Sequence, residues 1–288
     1  MTSPVVALTV AGSDSGGGAG IQADLKTFAA LGVFGTSALS AVTAQNTRAV
    51  TGVVALEPAF VVAQIEAVLE DLAPRAAKTG MLAAGPTVAA VAEVAGRGVF
   101  GALVVDPVLV SSTGHRLVDD EGIDAYRTLL LPLATVATPN LREAAVLTGR
   151  ELAELGSTDA MVAAAEELRA LGADTVVVKG GHLAAALGEP PGNTAVSSPD
   201  VVVGPGGAVV LDGERVATGN DHGTGCSLSA AIAAHLALGA DPLAAVRAAK
   251  DFVHRALAGA ASWRLGGGHG PIDHFGWGDR PRAPGGTP

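Results

Sequence analysis

Five residues, His222-Gly223-Thr224-Gly225-Cys226, run directly into an apolar segment, Ser227 to Leu238, in which Leu228, Ala231, Ile232, His235 and Leu236 recur at helical spacing. A glycine-rich turn therefore opens a helix at about Gly225. The first turn of a helix offers backbone N–H groups without intrahelical partners, and its dipole places roughly half a positive charge there. That combination binds anions. Gly223 and Gly225 carry no Cβ, so the backbone can close around a phosphate. Cys226 falls where those amides converge, and a thiol at a helix N-terminus is expected to have a lowered pKa and to act as thiolate and proton acceptor. The competing reading of this stretch alone is an ordinary helix start with a small buried cysteine.

Other residues could serve the same anion chemistry. Leu103-Val104-Val105-Asp106 is an apolar strand ending in a carboxylate. Asn140 and Glu143 have the spacing of a helix-capping pair, but beside Asp106 the Glu143 carboxylate also suits a Mg²⁺ held partly through water. Lys179 ends the strand Thr175 to Lys179 and is followed by Gly180-Gly181, which lets backbone approach a phosphate. His182, His222, His269 and His274 lack zinc-like spacing with cysteine and read as loop residues and supports. Gly18-Ala19-Gly20-Ile21-Gln22-Ala23 fits a loose dinucleotide pattern but begins too far beyond its strand, and neither Lys26-Thr27 nor Lys78-Thr79 has the glycine spacing of a P-loop.

The elements that must position these groups alternate strand and helix. Val5 to Ala11 predicts a buried strand, Gly12 to Gly20 a loop, and Ile21 to Leu31 a helix. Strands are expected near Thr36 to Ala44, Val50 to Leu56, Ala76 to Lys78, Leu103 to Asp106, Thr135 to Thr138 and Thr175 to Lys179, and helices over Pro58 to Leu72, Pro86 to Gly96, Ile123 to Leu130, Asn140 to Leu147 and Thr158 to Leu171. Two further helices, Cys226 to Leu238 and Pro242 to Ala258, close the pattern. It predicts one domain, 1–265, with a doubly wound, mainly parallel sheet, and ligands beyond the carboxyl ends of its strands. Ser13 and Asp14, Gln45, Lys78 and Thr79, Asp106, Asn140 with Glu143, Lys179 and Thr224 to Cys226 all fall at that edge. The Gly/Pro/Ser-rich stretch 184–220 reads as a flap or β-excursion, and 266–288 as a tail, part ordered and part frayed.

Composition narrows the class. The 288 residues are 49% hydrophobic and 16% charged, a globular composition, with net charge −10 and no basic run interleaved with aromatics, which argues against nucleic acid. The single cysteine excludes an intrachain disulfide. No apolar run reaches the roughly 18 residues of a membrane helix, and the N-terminus is unlike a signal peptide. A cytoplasmic protein without a membrane partner is expected.

With these residues assembled, the chain resembles the hydroxymethylpyrimidine/phosphomethylpyrimidine kinases of thiamine biosynthesis, a branch of the ribokinase-like family that also holds pyridoxal kinases. The matching motifs are Ala11 to Asp24 (AGSDSGGGAGIQAD), Thr43 to Thr47 (TAQNT), Lys78 to Leu82 (KTGML), Asp106-Pro107-Val108, Thr138 to Leu141, Val178 to His182 and His222 to Cys226. The resemblance implies a three-layer α/β/α fold and two successive phosphoryl transfers from ATP with Mg²⁺, first to the hydroxymethyl group of 4-amino-5-hydroxymethyl-2-methylpyrimidine and then to its monophosphate. It implies that Gln45 hydrogen-bonds the pyrimidine edge, that Met81 and Val108 pack on its ring, and that Gly12 and Asp14 line the same site. Asp106 and Glu143 would serve Mg²⁺, Lys179, Asn140 and Gly225 the nucleotide, and Gly223, Thr224, Gly225 and Cys226 the phosphoryl in transit. Cys226 takes the place where sugar kinases of the wider family carry an aspartate base. A homodimer is expected. Two alternatives stand beside this reading, a pyridoxal kinase and a non-catalytic pyrimidine or nucleotide sensor; retention of Cys226, Lys179 and both carboxylates argues against the second.

Overall fold

The apolar runs that end in polar residues become the strands of a single sheet in the computed structural model, which describes residues 3–109, 118–181 and 198–278. The strands are β1 (Val6–Asp14), β2 (Phe34–Gln45), β3 (Val50–Ala55), β4 (Ala76–Thr79), β5 (Leu103–Val105), β6 (Val136–Ala137), β7 (Thr175–Lys179), β8 (Asp200–Gly204) and β9 (Gly207–Leu211). They lie in the order β3-β2-β1-β4-β5-β6-β7-β8-β9. Six of them, β2 through β7 in that order, pair in parallel, and β3, β8 and β9 are antiparallel additions at the two edges.

Helices cover both faces, which is why the parallel strands are apolar almost throughout. One side is built by α1 (Gly20–Ala30), α7 (Thr224–Ala237) and α8 (Pro242–Ala260), whose Phe28, Ile232, Val246 and Phe252 pack with Ala7, Val104, Val136 and Val177. The other side carries α2 (Pro58–Leu72), α3 (Gly85–Gly96), α4 (Asp120–Ala125), α5 (Leu141–Thr148) and α6 (Thr158–Ala170), with Ile65, Val91, Leu147 and Met161 against Leu8, Val10, Val105 and Val178. Neighbouring residues of one strand thus feed opposite cores, as the two-residue period requires. The architecture is the expected three-layer α/β/α sandwich.

The helix starts follow local chemistry. Pro58 and Pro242 occupy the first turns of α2 and α8, and Asp241, Ser157 and Asn140 accept from backbone amides of α8, α6 and α5. The α7 start is different. Its cap is Gly223 at φ 86°, left-handed, with no side chain supplying a capping bond.

One expectation is corrected here. The loop placed at Gly12 begins later, because β1 continues to Asp14 across a register shift between Ala11 and Ser13 in its pairing with β2. Within 184–220, residues 200–211 form the β8–β9 hairpin, a β-excursion that extends the sheet from β7; Val201 and Val203 face the core that holds α6, and Val202, Val209 and Leu211 the core that holds α8. Residues 184–197 of that stretch and 279–288 of the tail lie outside the described residues. Residues 266–278 are described and pack back toward α7.

Because α7 is buried along most of its length, its apolar contacts hold the first turn in place. Ile232 is fully buried among them. Ile232→Ala should lower unfolding free energy by about 2–5 kcal/mol, read as a lower urea midpoint with an unchanged denaturant slope; a midpoint equal to the parent's would show that α7 is not anchored by this face.

Candidate active site

The chain order reverses direction across the sheet between β1 and β4, and that is where open parallel sheets bind ligands. Here side chains approach the backbone closely. A Cβ on Gly12 would come within 2.5 Å of Met81 Cε, and one on Gly80 within 2.8 Å of Lys78 Nζ, so those side-chain ends would have to move. The loop after β1 also meets the cap of α7. A Cβ on Gly223 would collide with Gly18 O at 1.8 Å, and Gly18 in turn lies against the His222 ring. The first and last motifs therefore form one continuous wall.

Asp14 holds that wall together. Its Oδ1 accepts from Gly16 N at 2.7 Å, and its Oδ2 accepts from Gly18 N at 3.1 Å and Ala19 N at 2.9 Å, while His222 Nε2 lies 2.9 Å from Oδ2. Burial pushes the Asp14 carboxyl up, but the bond to His222 and the loop amides outweigh it and hold the group below the usual carboxylate range. Both Asp14 oxygens are engaged by the protein, so its carboxylate shapes the loop that lines the site. His222 Nε2 also lies 3.2 Å from the Gln45 side-chain amide, which places Gln45 at the end of β2 beside this cluster. His222 N–H donates to Gly270 O, and Ser227 Oγ and His274 Nε2 are 2.9 Å apart, so the C-terminal segment braces the start of α7 from behind.

A second cluster gathers the charged groups. Lys179 Nζ is 2.8 Å from Asp106 Oδ1, which also accepts from Thr138 Oγ1 at 3.2 Å; Asp106 Oδ2 accepts from Ser229 Oγ of α7 at 3.1 Å. Asp106 is 2% exposed. Burial lowers the Lys179 pKa, and Asp106 and Glu143 more than reverse this, so the lysine stays charged. Asn140 and Glu143 do form the capping box of α5: Glu143 N–H donates to Asn140 Oδ1 at 3.0 Å and Asn140 N–H to Glu143 Oε2 at 2.7 Å. Burial nevertheless pushes the Glu143 carboxyl up to about 8, against the pull of Lys179. The capping reading and the electrostatic reading are thus both true of one residue. Asn140 and Lys179 are joined by a parallel bridge, with Lys179 N–H donating to Pro139 O.

The anion-binding turn lies between these clusters. The first intrahelical bond of α7 runs from Ser227 N to Gly223 O, leaving the amides of Gly225 and Cys226 ahead of it. A Cβ on Gly225 would sit 3.4 Å from Lys179 Nζ, so lysine and turn share one space. Met81 and Val108, after β4 and β5, are both half-buried. The structure therefore brings Gln45, Gly12, Asp106, Glu143, Lys179 and the Gly223 to Cys226 turn to one edge of the sheet.

One sequence expectation fails on chemistry. Cys226 has its thiol pushed up to about 11 by burial, with Lys78 pulling it down and Asp24 and Asp106 raising it further, so at rest it is protonated and no ready thiolate. Lys78 does lie at the carboxyl end of β4, but it is fully buried in an ion pair with Asp24, 2.9 Å away. That pair escaped the sequence reading because Asp24 lies mid-helix and Lys78 on a strand, with no local signal linking them. The bracing by Pro271 and His274 escaped for the same reason.

The oxygen ligands suit magnesium. Among the described residues no three His, Cys, Asp or Glu side chains converge as a metal cage, but Mg²⁺ is typically held by one or two carboxylates together with substrate phosphates. Asp106 and Glu143, with Lys179 between them, match that donor set.

His274 yields a pH test of the bracing. Burial lowers its pKa to about 4, whereas in the unfolded chain it titrates near 6.5. The unfolded state then binds more protons between these values, so stability should fall as pH drops from about 6.5 to 4, by at most about 1.4 kcal/mol per pH unit. Urea midpoints should decline over that window in the parent and less steeply in His274→Gln; parallel profiles would show that His274 is not buried neutral.

Comparisons with known proteins identify the family. Residues 14–273 match the model of the phosphomethylpyrimidine kinase family. A hydroxymethylpyrimidine/phosphomethylpyrimidine kinase of Rhizobium meliloti (strain 1021) is 48% identical over 94% of this chain and 97% of its own length. A bifunctional thiamine biosynthesis protein of Geobacter sulfurreducens is 43% identical over 93% of this chain and 52% of its own. Among solved structures, the pyridoxal kinase of Staphylococcus aureus in complex with AMP-PCP and pyridoxal superposes with a TM-score of 0.81 at 34% identity, covering 96% of this chain and 95% of that one. The fold is ribokinase-like, the chain is a phosphotransferase, and it belongs to the phosphomethylpyrimidine kinase family, the hydroxymethylpyrimidine/phosphomethylpyrimidine kinases of thiamine biosynthesis.

Proposed function

We propose that this chain uses ATP to phosphorylate the hydroxymethyl group of 4-amino-5-hydroxymethyl-2-methylpyrimidine and then the resulting monophosphate. The observation that carries this reading is the meeting of Gln45, the anion-binding turn Gly223 to Cys226 and the Lys179–Asp106 pair at one sheet edge. A side-chain amide offers both donor and acceptor to an aminopyrimidine, which suits Gln45, and half-buried Met81 and Val108 supply apolar contact for a flat ring. Gly12 leaves room for backbone approach where any side chain would strike Met81.

Phosphoryl transfer asks a protein mainly for positioning and charge neutralisation. Lys179, Asn140 and the Gly225 amide hold phosphate oxygens of the nucleotide. The amides of Gly223 to Cys226 and the α7 dipole receive the charge of the group in transit. Magnesium would be held by Asp106 and Glu143 with phosphate oxygens and water, and when bound it spreads the phosphate charge. Once its own proton has passed to solvent, the Cys226 thiolate accepts the proton of the substrate hydroxyl as attack proceeds. A cytoplasmic location is part of this proposal. No described helix is long and apolar enough to cross a membrane.

A pyridoxal kinase is the second reading, favoured by the likeness to the Staphylococcus aureus enzyme. Incubation with MgATP and each of the pyrimidine alcohol, its monophosphate and pyridoxal, with products identified by mass, decides between them; phosphorylation of pyridoxal alone would overturn the first. Cys226→Ala should slow transfer to the alcohol by about 10²- to 10⁴-fold, the usual cost of a lost base. Transfer to the monophosphate should suffer much less, since that group is already largely ionised near neutral pH. An equal loss in both steps would make Cys226 a shaper of the anion site only.

The homodimer rests on the β3 edge. All six residues of β3 are exposed, and Val50, Val53 and Val54, the last 66% exposed, continue into Val42 of β2 and Phe60 of α2. A contiguous apolar patch on a sheet edge is uncommon unless it is covered. Light scattering should give twice the chain mass for the parent and a monomer for Val54→Asp; a monomeric parent would end this assignment.

A further inference from the structure

Gln45 is held at both ends of its side-chain amide, and its two neighbours decide which end belongs where. Its Nε2 lies 3.2 Å from His222 Nε2 and its Oε1 3.2 Å from Thr43 Oγ1. His222 Nε2 is also 2.9 Å from Asp14 Oδ2, an oxygen that already takes the N–H groups of Gly18 and Ala19, while Gly16 N–H occupies Oδ1. An oxygen receiving two N–H bonds carries no proton of its own, so Asp14 is a carboxylate and the ring nitrogen that faces it must bear hydrogen. This holds for the neutral ring and the imidazolium alike. The lowered pKa of Asp14 agrees with it. His222 Nε2 is therefore a donor, and a Gln45 N–H pointed at it sets donor against donor.

Thr43 leads to the same answer from the other end. Its hydroxyl has a single proton, and Ser13 O accepts it at 2.9 Å, closer than the Gln45 oxygen. What Thr43 Oγ1 has left to offer is a lone pair, which calls for a donor where Oε1 stands. Turning the amide over about its last bond exchanges two ends of nearly equal size and satisfies every partner. His222 Nε2–H is then shared between Asp14 Oδ2 and Gln45 Oε1, and Gln45 Nε2–H donates to Thr43 Oγ1, whose proton stays on Ser13 O.

We propose that His222 and Thr43 are positioning residues that lock the Gln45 amide in this turned sense, with its oxygen on the His222 side, and so select which way round the pyrimidine ring binds. The inference rests on the reading above, in which Gln45 meets the aminopyrimidine edge. The half-buried amide keeps one free position at each end, a lone pair on Oε1 and an N–H on Nε2. The lone pair takes the exocyclic amino group, and the N–H takes the ring nitrogen beside it. In 4-amino-5-hydroxymethyl-2-methylpyrimidine the amino-bearing carbon lies between that ring nitrogen and the carbon that carries the hydroxymethyl group. With the amino group on the His222 side, the hydroxymethyl group lies on that side too, and His222 directly precedes the Gly223 cap of α7. The opposite amide would turn the ring over and carry the hydroxyl away from the anion-binding turn.

The 4-oxo counterpart of the substrate is the probe, because its carbonyl and ring N–H reverse the acceptor and the donor. With MgATP and the full chain, kcat/KM for the first transfer should favour the amino ring over the oxo ring by at least about 100-fold. His222→Leu should cut that ratio at least about tenfold, since nothing then holds the oxygen on its side, whereas His222→Gln, which restores an N–H donor, should keep it. Slower transfer to both rings with the ratio intact in His222→Leu is what a merely structural role would give, and it overturns the proposal. Should His222→Leu not fold, Thr43→Val decides: it removes the acceptor at the other end, so the ratio should again fall about tenfold, and an unchanged ratio refutes the lock. The underlying reading is checked by the parent alone, because a parent that phosphorylates neither ring ends the substrate assignment and this inference with it.

Discussion

One buried carboxylate organises the site. Asp14 accepts from three loop amides and pairs with His222, and in doing so it joins the first glycine loop, the cap of α7 and the end of β2. An acceptor that satisfies several backbone donors in a buried loop fixes their directions, because each unmade bond would cost about 1–3 kcal/mol. The glycines around it follow from this constraint. Gly18 and Gly223 meet backbone against side chain and backbone against backbone, at distances that no Cβ could tolerate. Their role is close approach, and for Gly223 also a left-handed turn that aims the first amides of α7 outward.

Beyond that frame, the site is a balance of charges. Two lysine–carboxylate pairs lie on the two sides of the α7 start. In the Lys179–Asp106 pair the lysine is partly exposed. The Lys78–Asp24 pair is sealed. Burial works against both, and it also raises the Glu143 carboxyl and the Cys226 thiol well above their ordinary values.

Most of the fold was legible because its signals are local. Strand runs such as Val6 to Ala11 and Thr175 to Lys179, and helix starts at Pro58, Asn140 and Pro242, carry their own period and caps. The sheet edge on which Gln45, Asp106, Lys179 and Cys226 gather followed from the alternation of strand and helix. The β8–β9 hairpin was legible only as a flap or β-excursion, because its Gly/Pro/Ser-rich surroundings mask two short strands whose burial depends on α6 and α8. The Lys78–Asp24 pair and the bond from Ser227 to His274 were invisible for a different reason, since each is a relation between residues far apart in sequence. The thiol of Cys226 shows the same limit in energy: the helix dipole is local and favours the thiolate, but the burial that opposes it is set by the whole fold.

The contact between Asp14 and His222 spans 208 residues, and that between Ser227 and His274 ties in the C-terminal segment as well. Closing so long a loop carries an entropic cost that only native packing repays, and contacts of this separation form late. The β2–β3 and β8–β9 hairpins are near-neighbour pairings that need no such closure. The site is thus drawn from both ends of the sequence, so its geometry depends on closing a loop of that length.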